Sequence, residues 1–307
     1  MTSSDTPRVS VIMANFDGAA HICEAVQSVL GQTETSLELL LSDDGSSDDS
    51  LARAQGAAAG DARLILLESP VRGGPGAARN RALSRARGNW IAVVDNDDFI
   101  APERLQRLIN AAEADGADIA ADNLITFYQD QSRPAHRHLG AAAPLWVSAA
   151  FYANSNLMLR GGAQLGFLKP VFRRHVIETR RYDESLPIGE DADLVQRLLI
   201  AGAKMRLYPE MAFYHYRKHQ RSVSHRLPKA AADALLAGLA KMRSDDPTLA
   251  RALNRQRNAL LDAKAFLQIV EALKAKDAAA AARAAWVRPR ALLLLGEPLR
   301  ARLERPI

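Results

Sequence analysis

An apolar run that ends in three carboxylates is the most chemically informative stretch of the chain. Residues 90–94 are apolar and indicate a buried strand, and Asp95, Asp97 and Asp98 follow it. Like charges crowded at a strand end repel one another, so the arrangement is costly without a cation. A divalent cation that bridges to a phosphate would remove this cost, and oxygen-only ligands suit Mg²⁺ or Mn²⁺. The motif therefore predicts a metal-assisted phosphate site.

Two more polar clusters follow predicted strands earlier in the chain. Phe16 and Asp17 come after the first apolar run, and Asp43 and Asp44 come after the second. In an open parallel sheet, ligands collect at the carboxyl ends of the strands, so all three clusters should meet along one edge. Together they would offer an aromatic face for a base, carboxylates for the base or ribose, and carboxylates for a metal on the phosphates. The sequence thus predicts a nucleotide site without a phosphate-binding loop.

The elements that must position these residues alternate between strand and helix. The predicted strands are 9–14, 37–41, 64–67 and 90–94, and the predicted helices are 19–30, 48–55, 77–87 and 102–115. This alternation is typical of an α/β fold with a mostly parallel sheet flanked by helices. Less regular segments follow, with strands expected at 119–124, 205–208 and 211–214, a loop at 129–144 and a helix at 193–201.

The composition changes near residue 228. Beyond this point Ala, Leu, Arg and Lys dominate, and apolar residues recur at helical spacing. We therefore predict an α/β domain over residues 1–227 and a helical C-terminal extension over residues 228–307.

Composition and charge exclude several classes of protein. The 307 residues carry a net charge of +5, and no dense Lys/Arg block with interleaved aromatic residues points to nucleic acid. The single cysteine, Cys23, excludes an internal disulfide and a Cys-rich zinc site. Residues 1–8 lack the apolar core of a signal peptide, and no apolar run approaches the roughly 20 residues that cross a bilayer. We therefore expect a cytoplasmic protein.

The ordered set of motifs resembles the family 2 glycosyltransferases, which have the nucleotide-sugar-binding fold called GT-A. The matching segments are residues 9–17, 28–33, 42–48, 76–80 and 95–98. The likeness is tightest over residues 8–110 and extends to about residue 225 through 189–191 and 216–224. The stretch 154–191 is most similar to bacterial exopolysaccharide glucosyltransferases of the succinoglycan type. The resemblance implies a GT-A domain over residues 1–227.

The resemblance assigns nucleotide-binding roles to residues of the first two strand ends and of the third helix. Phe16 stands where the family usually has Tyr, and it would line the uracil. Asp44 would hydrogen-bond the base, with Asp17 and Asp43 beside it, and Arg79 would meet the nucleotide or its diphosphate. Taken alone, the aromatic residue could be core filler, Asp44 a turn residue and Arg79 a solvated helix residue.

The same resemblance makes Asp95, Asn96 and Asp97 the DxD-type motif. Asp97 is the first choice as metal ligand, Asp95 would contact the ribose or the metal, and Asn96 belongs to the nucleotide site. His219 would complete the metal shell or close over the diphosphate. A solvated acidic loop and a surface histidine are the alternatives.

Glu190 and Asp191 precede a predicted helix. Carboxylates at a helix N-terminus stabilise it through the helix dipole, which alone would explain the pair. Inverting sugar transfer also needs a carboxylate that takes a proton from the acceptor hydroxyl. The family places this base in a Glu-Asp pair here, so the resemblance makes Asp191 the base and Glu190 a neighbour that orients the acceptor.

These inferences predict an inverting, metal-dependent hexosyltransferase. It would move a glucose-type hexose from a UDP-sugar, with Mg²⁺ or Mn²⁺, to a saccharide or lipid-linked acceptor in surface polysaccharide biosynthesis. One alternative is a nucleotidyltransferase, which usually carries a Gly-rich loop where residues 15–18 stand. Another is a non-catalytic sugar-nucleotide-binding protein, against which the intact Asp95, Asp97 and Asp191 argue.

The C-terminal residues suggest a partner for the helical extension. Six arginines lie around Trp286 and the apolar run 292–295, namely Arg283, Arg288, Arg290, Arg300, Arg302 and Arg305. Basic residues interleaved with large apolar ones suit the surface of an anionic membrane, so we expect peripheral membrane contact there. The alternative is a packed, basic helical cap.

Overall fold

A computed structural model describes residues 6–131, 133–140, 142–158, 164–218 and 229–295. The described residues form two compact units. The first comprises those of 1–149 and 165–223, and the second those of 150–164 and 224–307. Sequence reasoning placed residues 150–164 in the α/β domain, whereas here they belong to the second unit. The division after residue 227 therefore stays a prediction.

The first unit contains all twelve strands of the described residues. They are β1 Val9–Asn15, β2 Leu37–Asp43, β3 Leu64–Glu68, β4 Trp90–Val93, β5 Phe99–Ile100, β6 Ile119–Asp122, β7 Leu124–Tyr128, β8 His136–Arg137, β9 Leu145–Val147, β10 Val171–Arg173, β11 Met205–Tyr208 and β12 Tyr214–Lys218. The helices that precede residue 201 are α1 Ile22–Leu30, α2 Ser50–Ala58, α3 Pro75–Leu83, α4 Arg104–Asp115, α5 Ala149–Ser155, α6 Arg174–Ile177 and α7 Glu190–Ile200.

Eight strands form the main sheet, in the order β3-β2-β1-β4-β10-β6-β11-β9. The first four are parallel to one another, as their alternation with helices predicts. Val11, Ile12, Leu39 and Leu40 at the centre are fully buried. Strands covered on both faces bury nearly every side chain, which explains why β1 and β2 are mostly apolar. Of the polar exceptions, Ser10 and Glu38 are buried and hydrogen-bonded to each other. The predicted α/β class is confirmed.

Strand β10 is a departure from the sequence prediction. It runs antiparallel between β4 and β6, with Val171 opposite Ala92 on one side and Ala120 on the other. Its three residues follow Pro170 and are too few to show a periodicity, so the sequence gives no strand signal there. The sheet is consequently mixed.

A second sheet, in the order β5-β12-β7-β8, is also absent from the sequence prediction. The strand predicted at 119–124 divides at Asn123, whose Oδ1 accepts hydrogen bonds from the N–H groups of Leu124 and Leu139. The strand predicted at 211–214 is instead found at Tyr214–Lys218. Short strands with mixed polar residues carry weak periodicity, which explains both errors.

The second unit is helical. Besides residues of α5 it contains α8 Lys229–Lys241, α9 Pro247–Lys274, α10 Ala278–Val287 and a 3₁₀ helix at Pro289–Leu295. Asp246 and Asp277 begin α9 and α10 by accepting hydrogen bonds from first-turn N–H groups. Within the described part of the chain, every helix falls short of the length or the apolar character that spanning a bilayer requires.

Candidate active site at the carboxyl edge of the sheet

The ends of β1, β2 and β4 meet at the side chain of Asn15. Its Nδ2 donates to Asp43 Oδ1 at 2.7 Å, and its Oδ1 accepts from Asn96 Nδ2 at 2.7 Å. Asn15 is buried, so these bonds are shielded from water. The structure thus brings together the three polar clusters that follow these strands.

Asp43 and Asp17 shape the loop after β2. Asp43 accepts hydrogen bonds from the N–H and hydroxyl of Ser46, at 2.9 and 2.6 Å, and is buried. Asp17, whose φ is +48°, accepts from the N–H of Ser47 at 2.8 Å. Both carboxylates are therefore engaged in holding the loop.

Asp44 supports the N-terminus of α3. Its Oδ2 accepts hydrogen bonds from the N–H groups of Gly73 and Gly74, at 3.0 and 2.7 Å, and the side chain is buried. Gly74 has a φ of +89°, a conformation that favours glycine, and Pro75 begins the helix. Asp44 therefore fixes the turn from which α3 starts, and any contact with a base would add to that role.

Phe16 is the exposed aromatic residue of this edge. Its relative exposure is 37%, and the guanidinium carbon of Arg72 lies 3.9 Å from the ring centroid. A side chain as exposed as that of Phe16 is not part of the hydrophobic core. A ring face capped by a cation is suited to stacking on a planar base.

Gly18 is a position where only glycine fits. A Cβ there would lie 2.2 Å from Asn96 Nδ2 and 2.3 Å from Asn15 Oδ1, the two atoms of the hydrogen bond that joins β1 to β4. We expect Gly18→Ala to break this bond and to lower the free energy of unfolding by about 1–3 kcal/mol. Urea unfolding measures the change. Gly140→Ala is the matched control, because its Cβ would meet nothing within 4 Å, and equal effects of both substitutions would contradict the expectation.

The acidic loop after β4 has three carboxylates close enough to share one cation. Oxygens of Asp95, Asp97 and Asp98 all lie within 4.8 Å of one another. Asp98 is buried and accepts hydrogen bonds from the hydroxyl of Tyr214 and the N–H of Arg217, each at 2.8 Å. Burial and the neighbouring Asp97 and Asp95 charges raise the pKa of Asp98 well above its usual value. Asp98 therefore anchors the loop from inside.

Two residues of β12 hold the loop from the second sheet. The Tyr214 hydroxyl accepts a hydrogen bond from the N–H of Asp95, at 3.1 Å. Arg217 donates from Nε to the carbonyl of Asp97, at 2.9 Å, and its guanidinium lies 4.8 Å from the ring centroid of Phe127. The second sheet thus serves to position the Asp95–Asp98 loop.

A buried network of two cations and three carboxylates lies beside this loop. Arg79 donates to Asp95 Oδ1 at 2.7 Å and to Glu190, and lies 3.6 Å from Asp191 Oδ1. The amine of Lys169 lies 2.7 Å from Asp95 Oδ2 and 2.7 Å from Asp191 Oδ2. Both cationic side chains are less than a tenth exposed. The charge network, defined by these five residues, joins α3, the acidic loop, the segment before β10 and the start of α7.

Burial and charge act against each other in this charge network. Burial raises the pKa of Asp95, but the charges of Lys169 and Arg79 outweigh it and hold the pKa well below its usual value. Burial lowers the pKa of Lys169, but Asp191 and Asp95 raise it well above the ordinary range. For Glu190 burial prevails over the attraction of Arg79, and its pKa is raised. Asp95 and Lys169 are therefore ionised at neutral pH.

Helix α3 connects this network to the chain that leads into α7. Next to Arg79, Asn80 Nδ2 donates to the carbonyl of Tyr182 at 3.0 Å, and Asn80 Oδ1 accepts from the Tyr182 N–H at 2.9 Å. Gly189, with a φ of +78°, then begins α7, so Glu190 and Asp191 lie in its first turn. Two adjacent residues of α3 thus have different roles. Arg79 contributes the buried guanidinium, and Asn80 holds the segment that leads to the acidic pair.

The structure also contains site residues that sequence reasoning did not identify. These are Lys169, Tyr182, Tyr214 and Arg217. A usable signal existed for Lys169, which is a charged residue within the otherwise apolar run 165–172, and such residues are rarely buried without a partner. The predicted metal ligand His219 lies outside the described residues.

Two succinoglycan biosynthesis proteins resemble this chain in sequence, one of them over nearly its whole length. The succinoglycan biosynthesis protein ExoO of Rhizobium meliloti is 34% identical over 97% of this chain and 87% of its own length. The succinoglycan biosynthesis protein ExoU of the same organism is 35% identical over 67% of this chain and 61% of its own length.

Solved structures agree on the fold. The crystal structure of S. aureus TarS in complex with UDP-GlcNAc has a TM-score of 0.67 at 18% identity and covers 89% of each chain. The mannosyltransferase PcManGT from Pyrobaculum calidifontis, in complex with GDP-Man and Mn²⁺, has a TM-score of 0.61 at 18% identity, over 98% of this chain and 82% of its own. The predicted GT-A-type fold is confirmed.

The model of the glycosyl transferase family 2 matches residues 10–176. Because that match spans more than half of a chain that also aligns with ExoO throughout, the protein is a glycosyltransferase and belongs to family 2.

Proposed function

We propose that the protein transfers a hexose from a UDP-sugar to a saccharide acceptor, with inversion, during surface polysaccharide biosynthesis. Support for the pathway comes from its similarity to ExoO, a succinoglycan biosynthesis protein. Support for a UDP-sugar comes from the exposed Phe16 beside Asp44, and from the fold shared with a UDP-GlcNAc complex. A glucose-type sugar and a lipid-linked acceptor are the specific forms that we expect.

One observation carries the proposed chemistry. Asp191 Oδ1 is buried and has no hydrogen-bond partner among the described residues, while Oδ2 is held by Lys169. A buried oxygen without a donor is costly, and an acceptor hydroxyl would supply the missing donor. Asp191 then takes the hydroxyl proton as the acceptor oxygen bonds to the anomeric carbon. The bond from that carbon to the diphosphate breaks, and UDP leaves with the electron pair.

The acidic loop fits a divalent cation. Asp97, a partly exposed member of the cluster of three carboxylates, is the ligand that we propose. Mg²⁺ and Mn²⁺ are usually held by one or two carboxylates together with substrate phosphates, so a single protein ligand is sufficient. When bound, such a cation supplies charge stabilisation to the departing diphosphate.

A nucleotide-sugar screen tests the proposal. The purified protein is scanned for thermal stabilisation by UDP-, GDP- and dTDP-sugars with and without Mn²⁺, and each hit is assayed for nucleotide release with saccharide acceptors. We expect stabilisation by a UDP-sugar that depends on Mn²⁺, followed by UDP release. Release of pyrophosphate would instead identify a nucleotidyltransferase. Binding without turnover on any acceptor would favour a non-catalytic sugar-nucleotide-binding protein.

The second unit has features of a membrane-binding surface. Trp286, Val287 and Leu293 are 89%, 74% and 78% exposed, and Arg283 and Arg290 are exposed near them in sequence. Large apolar side chains enter the acyl boundary, and each basic residue near an anionic surface contributes about 1 kcal/mol. We propose that this surface, called the Trp286 surface, binds anionic membranes. The other predicted residues, Arg300, Arg302 and Arg305, lie outside the described residues.

Liposome sedimentation tests the Trp286 surface. We expect the wild-type protein to sediment with vesicles that contain phosphatidylglycerol and to remain in the supernatant with purely zwitterionic vesicles. The double variant Trp286→Ser/Leu293→Ser should lose most of this binding. Leu273→Ser is the matched control, because Leu273 is 54% exposed on α9 of the same unit. Equal partitioning of wild type and double variant would exclude the membrane role.

A further inference from the structure

Lys169 joins a carboxylate of the acidic loop to the carboxylate that the proposed function makes the base. Its Nζ lies 2.7 Å from an oxygen of Asp95 and 2.7 Å from an oxygen of Asp191, the base for the acceptor. The side chain is 9% exposed, so both contacts are made out of water. Lys169 therefore helps to fix the position of one carboxylate relative to the other, and it does so by a closer contact to Asp191 than Arg79 makes.

The two oxygens of Asp191 differ in their surroundings. Oδ2 accepts the hydrogen bond from Lys169, whereas Oδ1 is buried, finds no hydrogen-bond partner within the part of the chain that the structure describes, and lies 3.6 Å from Arg79 Nη1. We infer that Lys169 is a positioning residue, which holds Asp191 by Oδ2 and so leaves Oδ1 as the oxygen that takes the acceptor proton. This inference rests on the proposed role of Asp191 as the base.

The main chain of Lys169 is itself anchored. Its carbonyl accepts a hydrogen bond from the guanidinium of Arg104, which also pairs with Asp122 at 2.8 Å. Both members of that pair are fully buried, and a buried ion pair resists movement because separating it is costly. The main chain of Lys169 is therefore held rigidly, as is required of a residue that orients a catalytic group.

Binding of the donor diphosphate is the other role that a buried lysine in this place suggests. An ammonium group has three donors, and two of those of Lys169 already point to carboxylate oxygens. If Lys169 contacted the diphosphate instead of Asp191, the base would lose the hydrogen bond that orients it during the reaction. A positioning role therefore predicts a loss of turnover, whereas a diphosphate role predicts a loss of donor affinity.

Three variants separate these roles. Lys169→Met removes the charge, Lys169→Arg retains it, and Lys204→Met is the matched control, since Lys204 is exposed in the same unit. A misplacement of about 1 Å costs roughly 100-fold in rate, so we expect kcat for transfer to fall about 100-fold in Lys169→Met. The Kd for UDP, from thermal titration, should stay within a few-fold of the wild-type value. Lys169→Arg should recover about tenfold of the lost kcat.

Each other outcome overturns the inference. Wild-type kcat in Lys169→Met would show that Asp191 is oriented without Lys169. A weaker UDP affinity with unchanged kcat at saturation would assign Lys169 to the donor. Because Lys169→Met leaves buried carboxylates without their partner, Lys169→Gln is a second neutral variant, and failure of both to fold would make the role structural only. Absence of transfer by the wild-type enzyme would instead refute the proposed function.

Discussion

Asp191→Asn is expected to abolish sugar transfer while leaving the fold and donor binding intact. Asparagine has nearly the same shape, and its carbonyl oxygen can still accept the hydrogen bond from Lys169. It cannot take the proton of the acceptor hydroxyl. General-base catalysis contributes about 10²–10⁴-fold, so kcat should fall by that factor. UDP release over time measures the loss, with circular dichroism and thermal unfolding as checks on the fold.

A neighbouring carboxylate in the same helical turn supplies the control. Asp193 also lies in the first turn of α7, where it pairs with Arg197 at 2.7 Å. Carboxylates in this turn stabilise the helix by about 0.3–1 kcal/mol each through the dipole. If capping were the only role of the acidic pair, Asp191→Asn and Asp193→Asn would have similar small effects on activity. We expect Asp193→Asn to retain most of the activity, and full turnover in Asp191→Asn would refute the base assignment.

The parallel half of the sheet could be predicted from sequence because each of its strands and helices is indicated by the residue pattern within one short segment. Each of the first four strands is mostly apolar, and each precedes a helix of amphipathic or Ala-rich pattern. Parallel order then places the strand ends along one edge, which is why Phe16, Asp44 and Asp95 could be expected to lie near one another. The role of the Asn15 side chain in joining the strand ends has no such pattern and depends on the folded arrangement of the strands.

The other half of the site depends on contacts between segments that are distant in sequence. Lys169 enters the charge network because β10 runs antiparallel beside β4, and a three-residue strand leaves no periodic signal. Tyr214 and Arg217 reach the acidic loop only through the second sheet. Arg79 pairs with Asp95 and Glu190, a contact that the sequence does not indicate, and its contact with the nucleotide or diphosphate stays a prediction. Ion pairs between residues that are distant in sequence leave no periodic pattern in the sequence.

Asp97→Asn is expected to remove the dependence of donor binding on a divalent cation. Asp97 is a partly exposed member of the three carboxylates that lie within 4.8 Å of one another, and the loop is held by Asp98, which accepts hydrogen bonds from Tyr214 and the N–H of Arg217. Substituting Asp97 should therefore remove the protein ligand and leave the loop in place. The charge stabilisation that a bound cation gives is worth several kcal/mol, so transfer should fall by a factor on the order of 10³.

The measurement is the thermal shift that UDP causes with Mn²⁺ or with EDTA. For the wild-type protein, EDTA should reduce both this shift and the transfer rate, and added Mn²⁺ should restore them. For Asp97→Asn, the shift should be small under both conditions. Asp118→Asn is the control of equal charge change, because Asp118 lies at the opposite, N-terminal end of β6 and accepts from the N–H of Lys204. A full Mn²⁺-dependent shift in Asp97→Asn would contradict the prediction. Because the proposed site has so few protein ligands, loss of the Asp97 carboxylate should weaken cation binding measurably.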